Sequence, residues 1–153
     1  MNNNTTFENE LSEKGKLVYP NKGTSMLPLI RQNKDLMVIE RPQGRLKRYD
    51  AALYKRRRDG AYVLHRVLWA KKDSYVICGD NCLRKEYGIT DEDVIGVLTG
   101  VIRNGKELKA TSLKYRVYAH LWCDFIWVRI PLTYVCDLPG RAIRKLKRIM
   151  KKQ

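Results

Sequence analysis

The 153-residue chain has little histidine, with two, and little cysteine, with four. Cys78, Cys82, Cys123 and Cys136 form no Cys-x-x-Cys pair. With so few imidazoles beside them, a zinc site has no ligand spacing to rest on, and neither metal nor cofactor is expected. The thiols read as reduced, half-buried side chains. Long apolar runs are missing too. Nothing approaches the roughly 18 to 20 apolar residues of a membrane span, and Met1 to Asn9 lacks the apolar centre of a signal peptide. Without an anchor or an export route the expected location is cytoplasmic, or peripheral at the inner face of a membrane. Acidic residues are scarce: 16 stand against 31 lysines and arginines, a net charge of +15. That surplus points to an anionic partner surface and is silent about fold. No internal repeat, collagen-like period or Gln/Asn tract is present.

What is present is an ordinary apolar share, 44%, enough for one domain with a real core. Thr5 or Thr6 can cap a short helix that runs to about Lys14 and ends at Gly15. Strands are expected at Lys16 to Tyr19, Leu36 to Glu40, Ala51 to Arg56, Ala61 to Trp69, Ser74 to Cys78, Asp93 to Arg103 and Lys106 to Ala110. Asp59-Gly60 and Asn104-Gly105 are hairpin signals between them. Seven or eight short strands predict a mainly β, partly barrel-like domain. From Thr111 the period becomes helical, with Arg116, His120 and Asp124 beside an apolar stripe of Val117, Leu121, Phe125 and Val128. The expected organisation is a short extension or helix over 1–15, a β-domain over 16–110, and an amphipathic basic helical tail over 111–153.

Chemistry concentrates at Lys22-Gly23-Thr24-Ser25-Met26-Leu27-Pro28. Gly23 is conformationally free and Pro28 is restricted, so the stretch reads as an elbow that holds the Ser25 hydroxyl in place. A serine needs a base, and only His65 and His120 supply an imidazole. His65 lies on a strand of the same domain, on a face with Val63 and Val67. His120 lies on the appended helix, where Asp124 one turn away reads as a surface contact.

The ordered set Gly23-x-Ser25-Met26-x-Pro28, Asp35-Leu36-Met37-Val38-Ile39, Leu64-His65-Arg66-Val67 and Gly79-Asp80-Asn81 resembles the signal-peptidase branch of the LexA-like serine peptidases. It covers roughly residues 16 to 102. Lys34 stands where that family usually has glycine before the second box. The resemblance implies a LexA/signal-peptidase-like folded β-domain and a serine endopeptidase with Ser25 as nucleophile and His65 as base. It implies cleavage of an extended peptide or protein segment laid beside a sheet edge, after small residues. The acid that orients His65 is then Asp80 or Glu86. Asp80 is slightly favoured, because Glu86 replaces the aspartate usual there. The elbow Gly23, Thr24 and Ser25 forms the oxyanion side, with the Ser25 backbone N–H as the main donor. Asp35 is expected to be structural.

Seven of the twelve residues from Arg141 to Lys152 are Lys or Arg, with Ile143, Leu146, Ile149 and Met150 at helical spacing. Together with Trp122 and Trp127, this makes an anionic membrane surface the expected partner of residues 111–152. Nucleic acid is disfavoured, since no stacking platform accompanies the charge. The alternatives are a non-catalytic, membrane-associated peptide-binding module and a LexA-like self-cleaving regulator. A histidine base and the lack of a preceding DNA-binding motif disfavour the regulator.

Overall fold

Thr6 caps the first helix, α1 (Phe7–Lys14), its hydroxyl accepting the Asn9 N–H at 3.4 Å. Gly15 closes it at φ 68°, in the left-handed region glycine enters at little cost. The structure is a computed structural model and describes residues 6–125. Eight antiparallel strands follow: β1 (Lys16–Pro20), β2 (Asp35–Glu40), β3 (Ala51–Lys55), β4 (Tyr62–Ala70), β5 (Tyr75–Cys78), β6 (Glu86–Ile89), β7 (Val94–Arg103) and β8 (Lys106–Lys109). They form one sheet in the order β1-β2-β7-β3-β4-β5-β6, with β8 also on β7. The fold is mainly β, with a helix at each end of the described chain.

β7 is the longest strand and holds the sheet together. Its first half pairs with β3, and its second half lies between β2 and β8. Register shifts opposite Val38/Ile39 and Leu53/Tyr54 break these ladders. Bulges of this kind raise the local twist and bend a sheet. The β7–β8 turn places Asn104 at φ 50° and Gly105 at φ 74°, the two left-handed residues that an Asn-Gly hairpin supplies.

β3 is buried on both faces. Ala51 and Leu53 enter one core with Leu11, Ile30, Ile39 and Leu98, while Ala52 and Tyr54 enter another with Val67, Tyr75 and Ile77. Because Leu11 sits in the first core, α1 packs as part of the β-domain. β6 was not expected. Glu86-Tyr87-Gly88-Ile89 is short and polar, and Gly88 at φ 75° interrupts any strand pattern. Its ladder to β5 holds it all the same, and it carries Glu86.

The second helix, α2 (Leu113–Asp124), is capped by Ser112. Its buried face is Tyr115, Ala119 and Cys123, while Leu113, Val117, Leu121 and Phe125 are exposed by 76, 49, 53 and 56%. The apolar stripe of α2 therefore faces outward. Tyrosines replace it inward because their hydroxyls can meet the buried charges described below, which aliphatic side chains cannot. Val128, Trp127, Cys136 and the basic stretch 141–152 lie outside the described residues. No helix among the described residues is long and apolar enough to cross a membrane.

Candidate active site

The Ser25 elbow is tied at both ends. At its start Asn21, only 8% exposed, accepts the Gly23 N–H at 3.2 Å through Oδ1. Its Nδ2 donates to the carbonyls of Gly23 and Ile30 at 2.8 and 3.4 Å. At the far end the fully buried Asp35 accepts from the Arg31 backbone, 2.8 Å, and from both the Arg31 and Arg103 guanidiniums. Burial opposes its charge, but these donors win and hold the carboxyl well below its ordinary range. Arg103 also donates to the Leu29 carbonyl, 2.9 Å, so β7 grips the elbow directly. Asp35 is structural, as expected. Asn21 was missed; an asparagine two residues before a glycine is a local turn signal.

The elbow's centre is held by the Gly79-Asp80-Asn81 turn. The Asn81 N–H donates to the Ser25 carbonyl at 2.7 Å, and its side chain donates to the Thr24 carbonyl at 3.3 Å. Gly79 makes this approach possible: a Cβ there would stand 2.7 Å from the Ser25 carbonyl oxygen and 3.0 Å from His65 Cδ2. Ser25 and His65 thus close on the same glycine, and both line a cavity of about 560 Å³. No hydrogen bond joins their side chains in this structure. Among the described residues, the Ser25 N–H meets no acceptor. It remains available to an oxyanion.

His65 is 6% exposed. Its Nδ1 lies 3.4 Å from Glu86 Oε1 and 3.3 Å from the Tyr54 hydroxyl. A carboxylate there favours hydrogen on Nδ1, since a lone pair would face negative charge. Nε2, beside the Cδ2 that packs on Gly79, is then the basic nitrogen. Burial lowers the His65 pKa, while the charges of Glu86 and Asp80 oppose the shift, so the ring is neutral at pH 7. Arg56 Nη1 reaches the same Glu86 oxygen at 3.6 Å. Tyr54 and Arg56 were also missed. Tyr54 is diagonal to His65 across the β3–β4 ladder, a relation that appears only once the register is known.

The two candidate acids separate. Glu86 faces the imidazole, whereas Asp80 binds the next residue on β4, Arg66, whose side chain leaves the opposite face of the strand. Arg66 Nε and Nη2 donate to Asp80 at 2.8 and 2.7 Å, with both side chains fully buried. The slight preference for Asp80 as the group on His65 gives way to this pairing. α2 completes it. The Tyr118 hydroxyl donates to Asp80 Oδ2 at 3.0 Å, and the Trp122 indole N–H donates to the Asp80 carbonyl at 2.7 Å. Arg66 Nη1 donates to the Tyr49 carbonyl and the Tyr115 hydroxyl, 2.8 and 3.3 Å. His120 lies apart, its ring tilted against Tyr49 and its Nδ1 3.3 Å from an Asp124 that also binds Arg48. It is the surface contact expected of it.

No family model matches the chain, and no curated protein or solved structure matches it significantly.

Removing one member of a buried, hydrogen-bonded ion pair strands the other. Asp80→Asn should therefore cost about 3–5 kcal/mol in urea unfolding, whereas Glu86→Gln, at the partly exposed cavity wall, should cost less than about 1 kcal/mol. Equal losses would show that Arg66 does not depend on Asp80.

Proposed function

We propose that the chain is a serine endopeptidase of the signal-peptidase type, with Ser25 as nucleophile, His65 as general base and Glu86 as the acid that orients it. One observation carries the reading: His65 is fixed at Nδ1 by Glu86 and Tyr54, while its other edge meets the glycine turn that binds Ser25. In this reading His65 Nε2 takes the Ser25 hydroxyl proton as Oγ attacks the substrate carbonyl carbon. The oxyanion forms toward the Ser25 N–H. The imidazolium, stabilised by Glu86, returns the proton to the departing amine, and water then hydrolyses the acyl-enzyme by the same route.

A substrate strand has a place to lie. Among the described residues β5 pairs with β4 only from Arg66 onward, so Tyr62–His65 are bonded on one side alone there, and β1 pairs only with β2. The cavity reaches from β1 to this edge of β4. An extended peptide entering there would gain main-chain hydrogen bonds beside Ser25. The absence of a Ser25–His65 hydrogen bond favours the second reading, a peptide-binding module without turnover. Catalytic hydrogen bonds that tighten only with substrate bound separate the two.

The activity should rise with pH as His65 loses its proton, with a midpoint below the ordinary 6.5 of histidine. Glu86 raises that midpoint, so Glu86→Gln should move the rising limb to lower pH while cutting kcat by about 10² to 10⁴-fold. pH–rate profiles of the two proteins on a peptide library check this; a limb that moves upward removes Glu86 from the role.

The exposed stripe Leu113, Val117, Leu121 and Phe125 supports a location on an anionic membrane surface, with the basic stretch 141–152 supplying about 1 kcal/mol per charge near such a surface. Liposome flotation should require anionic lipid, weaken with salt and fall when Leu121 and Phe125 become Asp. Flotation unaffected by that exchange would exclude the stripe.

A further inference from the structure

The cavity beside Ser25 joins two kinds of wall. Away from His65 it is lined by Phe7, Leu17, Tyr19, Met37, Leu53 and Tyr62. Phe7 of α1 stands edge-on to both Tyr19 and Tyr62, at centroid distances of 4.9 and 4.8 Å, and makes an aromatic end wall. Among the described residues the charged lining is almost all cationic. Lys22, Arg56, Arg58 and Arg84 face a single acid, Glu86, which Arg56 and His65 already engage. Arg56 and Arg58 also share Asp59. Among the described residues Lys22 and Arg84 are exposed and meet no carboxylate.

A volume of about 560 Å³ far exceeds what small side chains alone would fill. From this we infer that the cleft selects acidic peptides carrying a bulky apolar residue, rather than the small residues that the signal-peptidase resemblance implies. Tyr62 lies three residues before His65 on β4, about 10 Å along an extended chain. The bulky side chain thus enters the aromatic end about three residues from the scissile bond, and a substrate Asp or Glu meets Lys22 or Arg84 close to it. The chain's own basic stretch, seven of twelve residues Lys or Arg from 141 to 152, carries the wrong sign to occupy this cleft. The inference rests on the peptide-cleft reading above and not on turnover.

The test uses full-length protein with Ser25→Ala and fluorescein-labelled octapeptides, read by anisotropy. One peptide pairs leucine or phenylalanine with acidic neighbours; a second exchanges the acids for lysine; a third exchanges the bulky residue for alanine. The first should bind at least tenfold tighter than either of the others, and added salt should shrink its lead over the lysine peptide. Lys22→Glu with Arg84→Glu should reverse the acid–lysine order, and Phe7→Ala should erase the preference for the bulky residue while sparing that for acid. Equal or tighter binding of the lysine or alanine peptide, or no binding by any of them, overturns the inference. Ser25→Ala cannot turn over, so peptide selectivity here alongside wild-type protein that fails to cleave would sink only the peptidase reading.

Discussion

Everything near Ser25 hangs on the buried pair Arg66–Asp80. Two full charges leave water to make it, a cost of several kcal/mol per ion that only extensive hydrogen bonding offsets. The bonding is nearly complete: Asp80 takes Nε and Nη2 of the guanidinium and the Tyr118 hydroxyl, and Nη1 of Arg66 reaches Tyr49 and Tyr115. The pair does more than lock β4 to the 79–81 turn. It places Gly79 and Asn81 against the Ser25 carbonyl and fixes the strand from which His65 projects on the opposite face. It also draws α2 onto the sheet through polar rings, which is why the helix turns its aliphatic stripe outward.

Charge is divided between the faces of β4. On one side Arg66 and Asp80 neutralise each other in the interior. On the other, burial holds His65 neutral, with one carboxylate, Glu86, at its Nδ1. A neutral imidazole with an oriented tautomer is the state a general base requires at neutral pH. The elbow adds the complementary piece. Asn21 and Asp35 consume the polar groups at its two ends, while the Ser25 N–H at its centre stays unspent.

Much of this was legible in the sequence, and what was not has identifiable causes. The strands with alternating or β-branched runs and the hairpin at Asn104-Gly105 follow from local chemistry, as does the cap at Thr6. β6 escaped because four residues with a charge and a left-handed glycine carry no periodic signal; only pairing with β5 makes them a strand. The preference for Asp80 came instead from the resemblance, in which Glu86 stands where an aspartate is usual, and nothing local showed Arg66 reaching for Asp80 from the other face of β4. Val117, Leu121 and Phe125 were legible as an apolar stripe, but the inward face of α2 was not: its partner is an ion pair that selects tyrosine and tryptophan, which hydrophobic periodicity does not register. Asn21, Tyr54 and Arg56 act through register and loop closure, which residue type alone does not reveal.

The central claim is that His65 activates Ser25, and covalent trapping tests it without any knowledge of substrate. Wild-type protein treated with a fluorophosphonate at pH 7.5 should gain one adduct, placed on Ser25 by peptide mass spectrometry. Ser25→Ala should gain none, and His65→Ala should react orders of magnitude more slowly while keeping its fold. Absence of label on Ser25, or labelling at a rate indifferent to His65, would contradict a serine peptidase and leave the cleft as a binding site.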